Sequence, residues 1–192
     1  MLALLRWLSS WPLWLLHALG SVLGWLTYAL SPSYRRRLQA NAALAGVSAA
    51  DRRASVAEAG RLVAELPRLW LRPPDQPIAD PLHWEGIDTL QALLDRGKGL
   101  VLLTPHLGSF EVSAQAYAQQ FGARQPITVL YRPARKRWLR ELEETARARP
   151  ALATAPATLA GVRQMLRALK RGETVGLLPD QVPPAGMGVW VP

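Results

Sequence analysis

The sequence predicts an α/β protein: a mostly parallel sheet flanked by helices, with an apolar, membrane-associated helical segment ahead of it. Three observations carry this. From Leu82 onward, short apolar runs alternate with stretches of helical length, the order that builds a parallel sheet covered on both faces. The clearest run, Leu100 to Leu103, is short, apolar and branched, as buried parallel strands are. And Trp7 to Tyr34 contains no Asp, Glu, Lys or Arg, while a membrane span needs roughly 20 mainly apolar residues.

The elements follow in order. Trp7, Trp11, Trp14, Trp25 and Tyr28 punctuate the apolar head, and Arg35-Arg36-Arg37 closes it. Tryptophan prefers the membrane interface, and arginines flank spans on the cytoplasmic side. A helix lying flat would set the same arginines against anionic headgroups, so the pattern leaves spanning and surface-lying both open. Residues 1–34 form this anchor and residues 35–77 a helical connector. In the connector, Tyr34 to Leu44 is predicted helical. Ser48 caps a second helix through Val56, Leu62 and Val63 toward Leu66, which Pro67 ends or kinks. The break Arg72-Pro-Pro-Asp-Gln-Pro77 marks the border of an α/β core over residues 78–192.

Within that core, Leu82–Glu85 is predicted as a short strand, and Asp88 as the cap of a helix closed by Gly97. Leu100–Leu103 is a strand, Phe110–Phe121 a helix capped by Ser109 and closed by Gly122, and Ile127–Tyr131 a strand. Lys136 to about Arg147 is a charged amphipathic helix. Leu152-Ala153 starts a weak strand. Thr158 caps a helix through Val162, Met165, Leu166 and Leu169, closed by Gly172. Val175–Leu178 is a strand ending at Pro179-Asp180, and a further strand begins near Gly188–Pro192.

Composition narrows the chemistry. There is no cysteine among 192 residues, so disulfides and thiolate metal sites are excluded. Three dispersed histidines argue against a histidine cage. The net charge of +9 calls for an anionic partner: a membrane surface, an acidic protein or nucleic acid. Nucleic acid is disfavoured, because the tryptophans cluster in the apolar head and no nucleic-acid motif is present.

The informative stretch is Gly99-Leu-Val-Leu-Leu-Thr-Pro-His-Leu-Gly-Ser-Phe-Glu111. It delivers a base, His106, and a carboxylate, Glu111, at the carboxyl end of a strand, where open α/β sheets place their chemistry. Neutral imidazole takes a proton from an alcohol near pH 7, and an acid on its other nitrogen stabilises the imidazolium. The Leu107-Gly108 turn lets the two meet. Ser109 lacks the second glycine of a nucleophile elbow, which favours direct attack by a substrate hydroxyl over a covalent acyl-enzyme. Arg132 ends the next strand at the same edge, and its guanidinium suits phosphate. Asp180 and Gln181 end a third strand there and suit sugar hydroxyls or a partner for Arg132. Arg135, Lys136, Arg137, Arg140, Arg147 and Arg149 form a basic band for headgroups, an anionic substrate or an acidic carrier.

Four blocks in this order, Thr104-Pro-His-Leu-Gly-Ser-Phe-Glu111, Tyr131-Arg-Pro133, Leu178-Pro-Asp-Gln181 and Gly188-Val-Trp-Val-Pro192, resemble the bacterial lipid A biosynthesis acyltransferases, the late lauroyl and myristoyl transferases of the lysophospholipid acyltransferase superfamily. The resemblance implies a glycerol-phosphate acyltransferase-like fold. It implies transfer of an acyl chain from acyl carrier protein to a hydroxyl of a phosphorylated glycolipid, a lipid A precursor, at the cytoplasmic side of the inner membrane. No cofactor or metal is expected; the acylated carrier protein is a substrate. His106 becomes the general base and Glu111 its charge partner, Arg132 positions phosphate, and Asp180 and Gln181 support the substrate site. Many members carry Asn before the histidine and Asn-Trp before the glutamate, where this chain has Pro105 and Ser109-Phe110. The family's last third is expected to be missing from this chain. Two alternatives stand beside this reading: an acyltransferase for another glycolipid or aminolipid, and a non-catalytic membrane-binding module.

Overall fold

The computed structural model describes residues 2–73, 76–78, 82–132, 134, 136, 140, 143, 149–181, 186 and 188. The chain forms two compact units, Met1–Gln76 and Pro77–Pro192.

The first unit is helical and gathers the apolar head and the connector together. Its helices are α1 (Leu2–Ser9), α2 (Leu13–Leu30), α3 (Pro32–Leu44) and α4 (Ala49–Leu71). The apolar head is therefore two helices, interrupted at Ser10-Trp11-Pro12 because Pro12 has no N–H for an α1 ladder. Ser31 caps α3, its Oγ accepting from Tyr34 N–H at 3.3 Å, and Ser48 caps α4, accepting from Asp51 N–H at 3.1 Å. Helix α4 does not end at Pro67. It runs one turn further, and Arg68 anchors that turn by donating to Trp11 O at 2.9 Å.

Helices α2 and α4 touch backbone to backbone. A Cβ on Gly20 would sit 2.6 Å from Gly60 O, and one on Gly60 would collide with the Gly20 carbonyl. The same seam carries polar pairs: His17 Nε2 lies 3.1 Å from Glu65 Oε2, and Arg61 Nε donates to Ser21 Oγ at 2.8 Å. The outer side of α2 stays apolar and exposed, with Trp14, Val22, Leu26 and Leu30. Among the described residues α2 is the one helix long and apolar enough to cross a membrane.

The second unit is α/β. Its elements are α5 (Ile87–Asp95), β1 (Leu100–Leu103), α6 (Phe110–Phe121), β2 (Ile127–Tyr131), β3 (Leu152–Pro156), α7 (Leu159–Lys170) and β4 (Thr174–Leu177). The four strands form one sheet in the order β1-β4-β2-β3, every pair parallel. Strand alternation sends side chains to two cores. Leu100, Leu102, Ile127, Val129 and Leu152 pack with Tyr117, Ala118 and Phe121 of α6. Leu130, Ala155, Val175 and Leu177 pack with Met165, Ala168 and Leu169 of α7.

A buried polar knot sits in the first core. Thr174, with no exposed surface, shares a 2.7 Å hydrogen bond with Tyr117 Oη and accepts from Gln125 Nε2 at 2.9 Å. Burial raises the Tyr117 hydroxyl above its ordinary pKa.

Several boundaries differ from the sequence reading. Leu82–Glu85 forms no strand: Leu82 and Trp84 turn inward while His83 and Glu85 face out, so the alternation reports burial without strand pairing. Trp84 packs edge-on against Phe121, ring centroids 5.5 Å apart. Helix α5 is capped by left-handed Gly86 (φ 71°), and Asp88 sits inside its first turn, where a carboxylate meets the positive helix end. Strand β3 extends to Pro156, as an edge strand permits, and β4 begins and ends one residue earlier than Val175–Leu178. Thr158 caps α7 as expected, accepting from Gly161 N–H at 3.3 Å, and Gly172 closes the turn after it with φ 80°. The helix over 136–147 falls largely outside the described residues, as do Pro133 and the strand expected near 188–192.

Candidate active site

Strands β1 and β4 are neighbours in register, Leu103 opposite Leu177, and the ladder continues one step as Thr104 N–H donates to Leu177 O at 3.0 Å. Both segments then leave the sheet at its carboxyl edge, so His106 and Asp180, each three residues beyond that pair, arrive side by side. Asp180 Oδ1 accepts from His106 Nδ1 at 2.7 Å, and Oδ2 accepts from the His106 backbone N–H at 2.8 Å. A carboxylate accepts only, so Nδ1 carries the hydrogen and Nε2 keeps its lone pair. Gln181 Nε2 lies 3.4 Å from that Nε2. The Phe110 ring meets the imidazole edge-on, centroids 4.9 Å apart.

Local sequence shapes this turn. Pro105 ends the strand, and Gly108 takes φ 57°, a left-handed turn that opens into free space and suits glycine. Ser109 occupies the cap position of α6 without a capping hydrogen bond, and its Oγ is buried with no partner. The first turn of α6 is held instead by backbone bonds, Phe110 N–H to Gly108 O at 3.0 Å and Val112 N–H to Ser109 O at 2.9 Å.

Next to the imidazole lies a cavity of ≈ 420 Å³, mostly apolar, between α6 and the sheet. That volume falls within the range of about 300–1,000 Å³ typical of small-molecule sites. Phe110 is shared by the two: it lines the cavity and also packs on His106. Glu111, half-buried in the first turn of α6, lines the same cavity with Thr104, Tyr131, Leu178 and Gly176.

The hydrogen bonds to Asp180 hold its carboxyl below the usual aspartate pKa, the His106 side chain first and the His106 backbone second. The aspartate is charged across the physiological range.

Sequence reasoning put Glu111 on the second ring nitrogen and gave Asp180 and Gln181 to sugar hydroxyls or to Arg132. The structure corrects the pairing: Asp180 takes Nδ1, because β4 is the neighbour of β1, and Gln181 faces Nε2. Arg132 follows β2 at the same edge, two strand spacings (about 10 Å) from β1. It is exposed and makes no ion pair among the described residues. The sequence marks Phe110 as a helix residue, and no periodicity signals that its ring joins cavity to base. Among the described residues no three His, Asp or Glu side chains cluster around a possible metal position.

The family model described as bacterial lipid A biosynthesis acyltransferase matches residues 1–192. The chain belongs to that family. Comparison with curated proteins gives no match. The family is membrane-associated, and among the described residues α2 is the one helix whose length and composition suit a membrane span.

Proposed function

We propose that this acyltransferase moves a fatty acyl chain from the thioester of acyl carrier protein to a hydroxyl of a phosphorylated lipid A precursor, at the cytoplasmic side of the inner membrane. The observation that carries the proposal is the Asp180–His106 clasp, whose imidazole packs on Phe110, a residue of the apolar cavity wall. It leaves Nε2 as the one basic nitrogen of the ring.

In this reading, the acceptor hydroxyl gives its proton to Nε2 of His106. Its oxygen forms a bond to the thioester carbonyl carbon, giving a tetrahedral oxyanion. The carbon–sulfur bond then breaks, and the imidazolium returns the proton to the departing thiolate. Asp180 stabilises the imidazolium in between. Backbone amides of Leu107 and Gly108 are the proposed oxyanion donors. Arg132 supplies a cation for the acceptor phosphate, Glu111 supports the charge at the cavity wall, and the cavity receives the acyl chain.

The test is acyl transfer by the full chain, given a phosphorylated lipid A precursor and a panel of acyl carrier protein thioesters. His106→Ala is expected to lower turnover by about 10²–10⁴-fold. Unchanged transfer would remove His106 from the role of base. Transfer to another glycolipid or an aminolipid in preference to the precursor would keep the base and replace the acceptor.

A further inference from the structure

Helix α7 contains no acidic residue. Its inner face, Gly161, Met165 and Ala168, is buried on the sheet. Its outer face divides lengthwise. Leu159, Val162 and Leu166, spaced i, i+3, i+7, form an apolar stripe in solvent, 66%, 44% and 53% exposed. Arg163, Arg167 and Lys170, spaced i, i+4, i+7, form a cationic stripe beside it, all exposed and with no carboxylate partner among the described residues. Three aliphatic side chains in water beside three unpaired cations match the pattern of a helix that lies in a membrane interface.

A second observation enlarges the apolar half. Gln164 Nε2 donates to Thr154 O of β3 at 3.1 Å, which turns that flank of α7 toward β3. On the opposite flank, a Cβ on Gly99 would sit 2.6 Å from Leu169 O, so this flank lies toward β1. Leu100 and Leu102 of β1 pack into the α6 core. Alternation therefore points Val101 and Leu103 to the α7 face, where they are 48% and 63% exposed. The apolar stripe of α7 and the bare outer face of β1 thus lie on one side of the sheet, at its β1 edge.

We propose that this face is a docking surface for an anionic lipid bilayer. Leu159, Val162, Leu166, Val101 and Leu103 enter the headgroup–acyl boundary, while Arg163, Arg167 and Lys170 meet lipid phosphates. The α/β unit then touches the leaflet directly instead of being carried only by α2. The inference rests on the α7 and β1 surfaces and does not require the acyl-transfer chemistry.

The absence of cysteine makes the test clean. Leu166→Cys and, as a control on α6, the exposed Gln120→Cys each carry a nitrobenzoxadiazole label on the full chain. Vesicles contain phosphatidylglycerol, phosphatidylethanolamine and a doxyl-labelled lipid. The label at 166 is expected to shift blue and be quenched on chain that pellets with these vesicles, while the label at 120 stays in water. Vesicles of phosphatidylcholine alone are expected to abolish quenching at 166 without any change to the protein. The triple variant Arg163→Glu, Arg167→Glu, Lys170→Glu is expected to reduce the docked population on the order of a hundredfold, since each surface cation contributes about 1 kcal/mol. A label at 166 that remains as water-exposed as that at 120 on pelleted chain overturns the proposal. So does shielding at 166 by an acidic carrier protein without lipid quenching, which would assign the face to a protein partner.

Discussion

Asp180 holds His106 at two points, the ring through Oδ1 at 2.7 Å and the backbone N–H through Oδ2 at 2.8 Å. One carboxylate thus sets both the position of the turn and the tautomer of the ring. The two residues are 74 positions apart in sequence and meet because parallel β1 and β4 run in register. Removing the charge while keeping the shape isolates the tautomer. Asp180→Asn offers a donor as readily as an acceptor and so admits the wrong tautomer. Turnover is expected to fall by about 10²–10⁴-fold with the fold retained. Acyl-transfer kinetics together with ¹⁵N imidazole shifts check it; a full-rate enzyme with the native tautomer would contradict it.

The same contact carries a pH signature. Asp180 titrates below its ordinary value because of its hydrogen bonds to His106. A depressed carboxyl contributes stability that is present above its unfolded pKa of about 3.9 and is lost as pH falls through the lower folded value. The turn is therefore expected to stay closed through mildly acidic pH and open only below the usual aspartate range. A carboxyl ¹³C titration of Asp180 reads this directly. His106→Ala is expected to move the midpoint upward, since the side-chain hydrogen bond is the larger cause.

Cavity depth has its own handle. Gly176 lines the cavity wall on β4, and a Cβ there would lie 3.0 Å from Val129 Cγ1. Gly176→Ala is expected to take up about one methylene of room. Each buried methylene is worth about 0.8 kcal/mol, near fourfold in affinity. Competition between acyl donors differing by two carbons is expected to shift toward the shorter chain. An unchanged donor profile would place the acyl chain elsewhere.

Much of the α/β unit was legible because punctuation coincided with its boundaries. Pro105 ends β1, Gly108 turns the chain, and α6 and β2 span the residues the pattern predicted, Phe110–Phe121 and Ile127–Tyr131. What was not legible depended on three-dimensional neighbours. Leu82–Glu85 alternates as a strand does, yet its alternation serves packing of Trp84 on Phe121. Pro67 sits inside α4 because the following turn is tied to Trp11. The partner of His106 could not be read locally: Glu111 is near in sequence, whereas Asp180 is brought near by a strand order that no single segment encodes.

The buried knot at Thr174 sets a stability prediction. Thr174→Val keeps the shape and deletes the oxygen that serves both Tyr117 and Gln125. Two buried polar groups lose a partner, at about 1–3 kcal/mol for each group left unsatisfied. Denaturant melts are expected to show a lower midpoint with unchanged slope. The Tyr117→Phe, Thr174→Val pair is expected to cost less than the sum of its single changes, because no hydroxyl is then left orphaned at that contact.

The packing of α4 on α2 sets an expectation for how α2 meets a bilayer. At 1.5 Å per residue its 18 residues reach about 27 Å, close to the thickness of a hydrocarbon core. Length alone therefore permits a crossing. But α4 runs beside it, with Glu65 against His17 and Arg61 on Ser21 at the middle of α2, and Glu58 paired with Arg61 at 2.6 Å. A crossing α2 packed this way would draw these ionisable groups into hydrocarbon, at about 2.5–3.5 kcal/mol for an Arg or acidic residue at mid-depth before pairing. Lying along the leaflet leaves the polar seam at the headgroups and buries exposed apolar side chains such as Trp14, Val22, Leu26 and Leu30. Single cysteines at Ser10→Cys and Ser33→Cys, exposed positions on either side of α2, decide between the two. In sealed vesicles with the protein added from outside, both are expected to react with a membrane-impermeant maleimide at similar rates. A spanning helix would leave one of them unreactive until detergent is added.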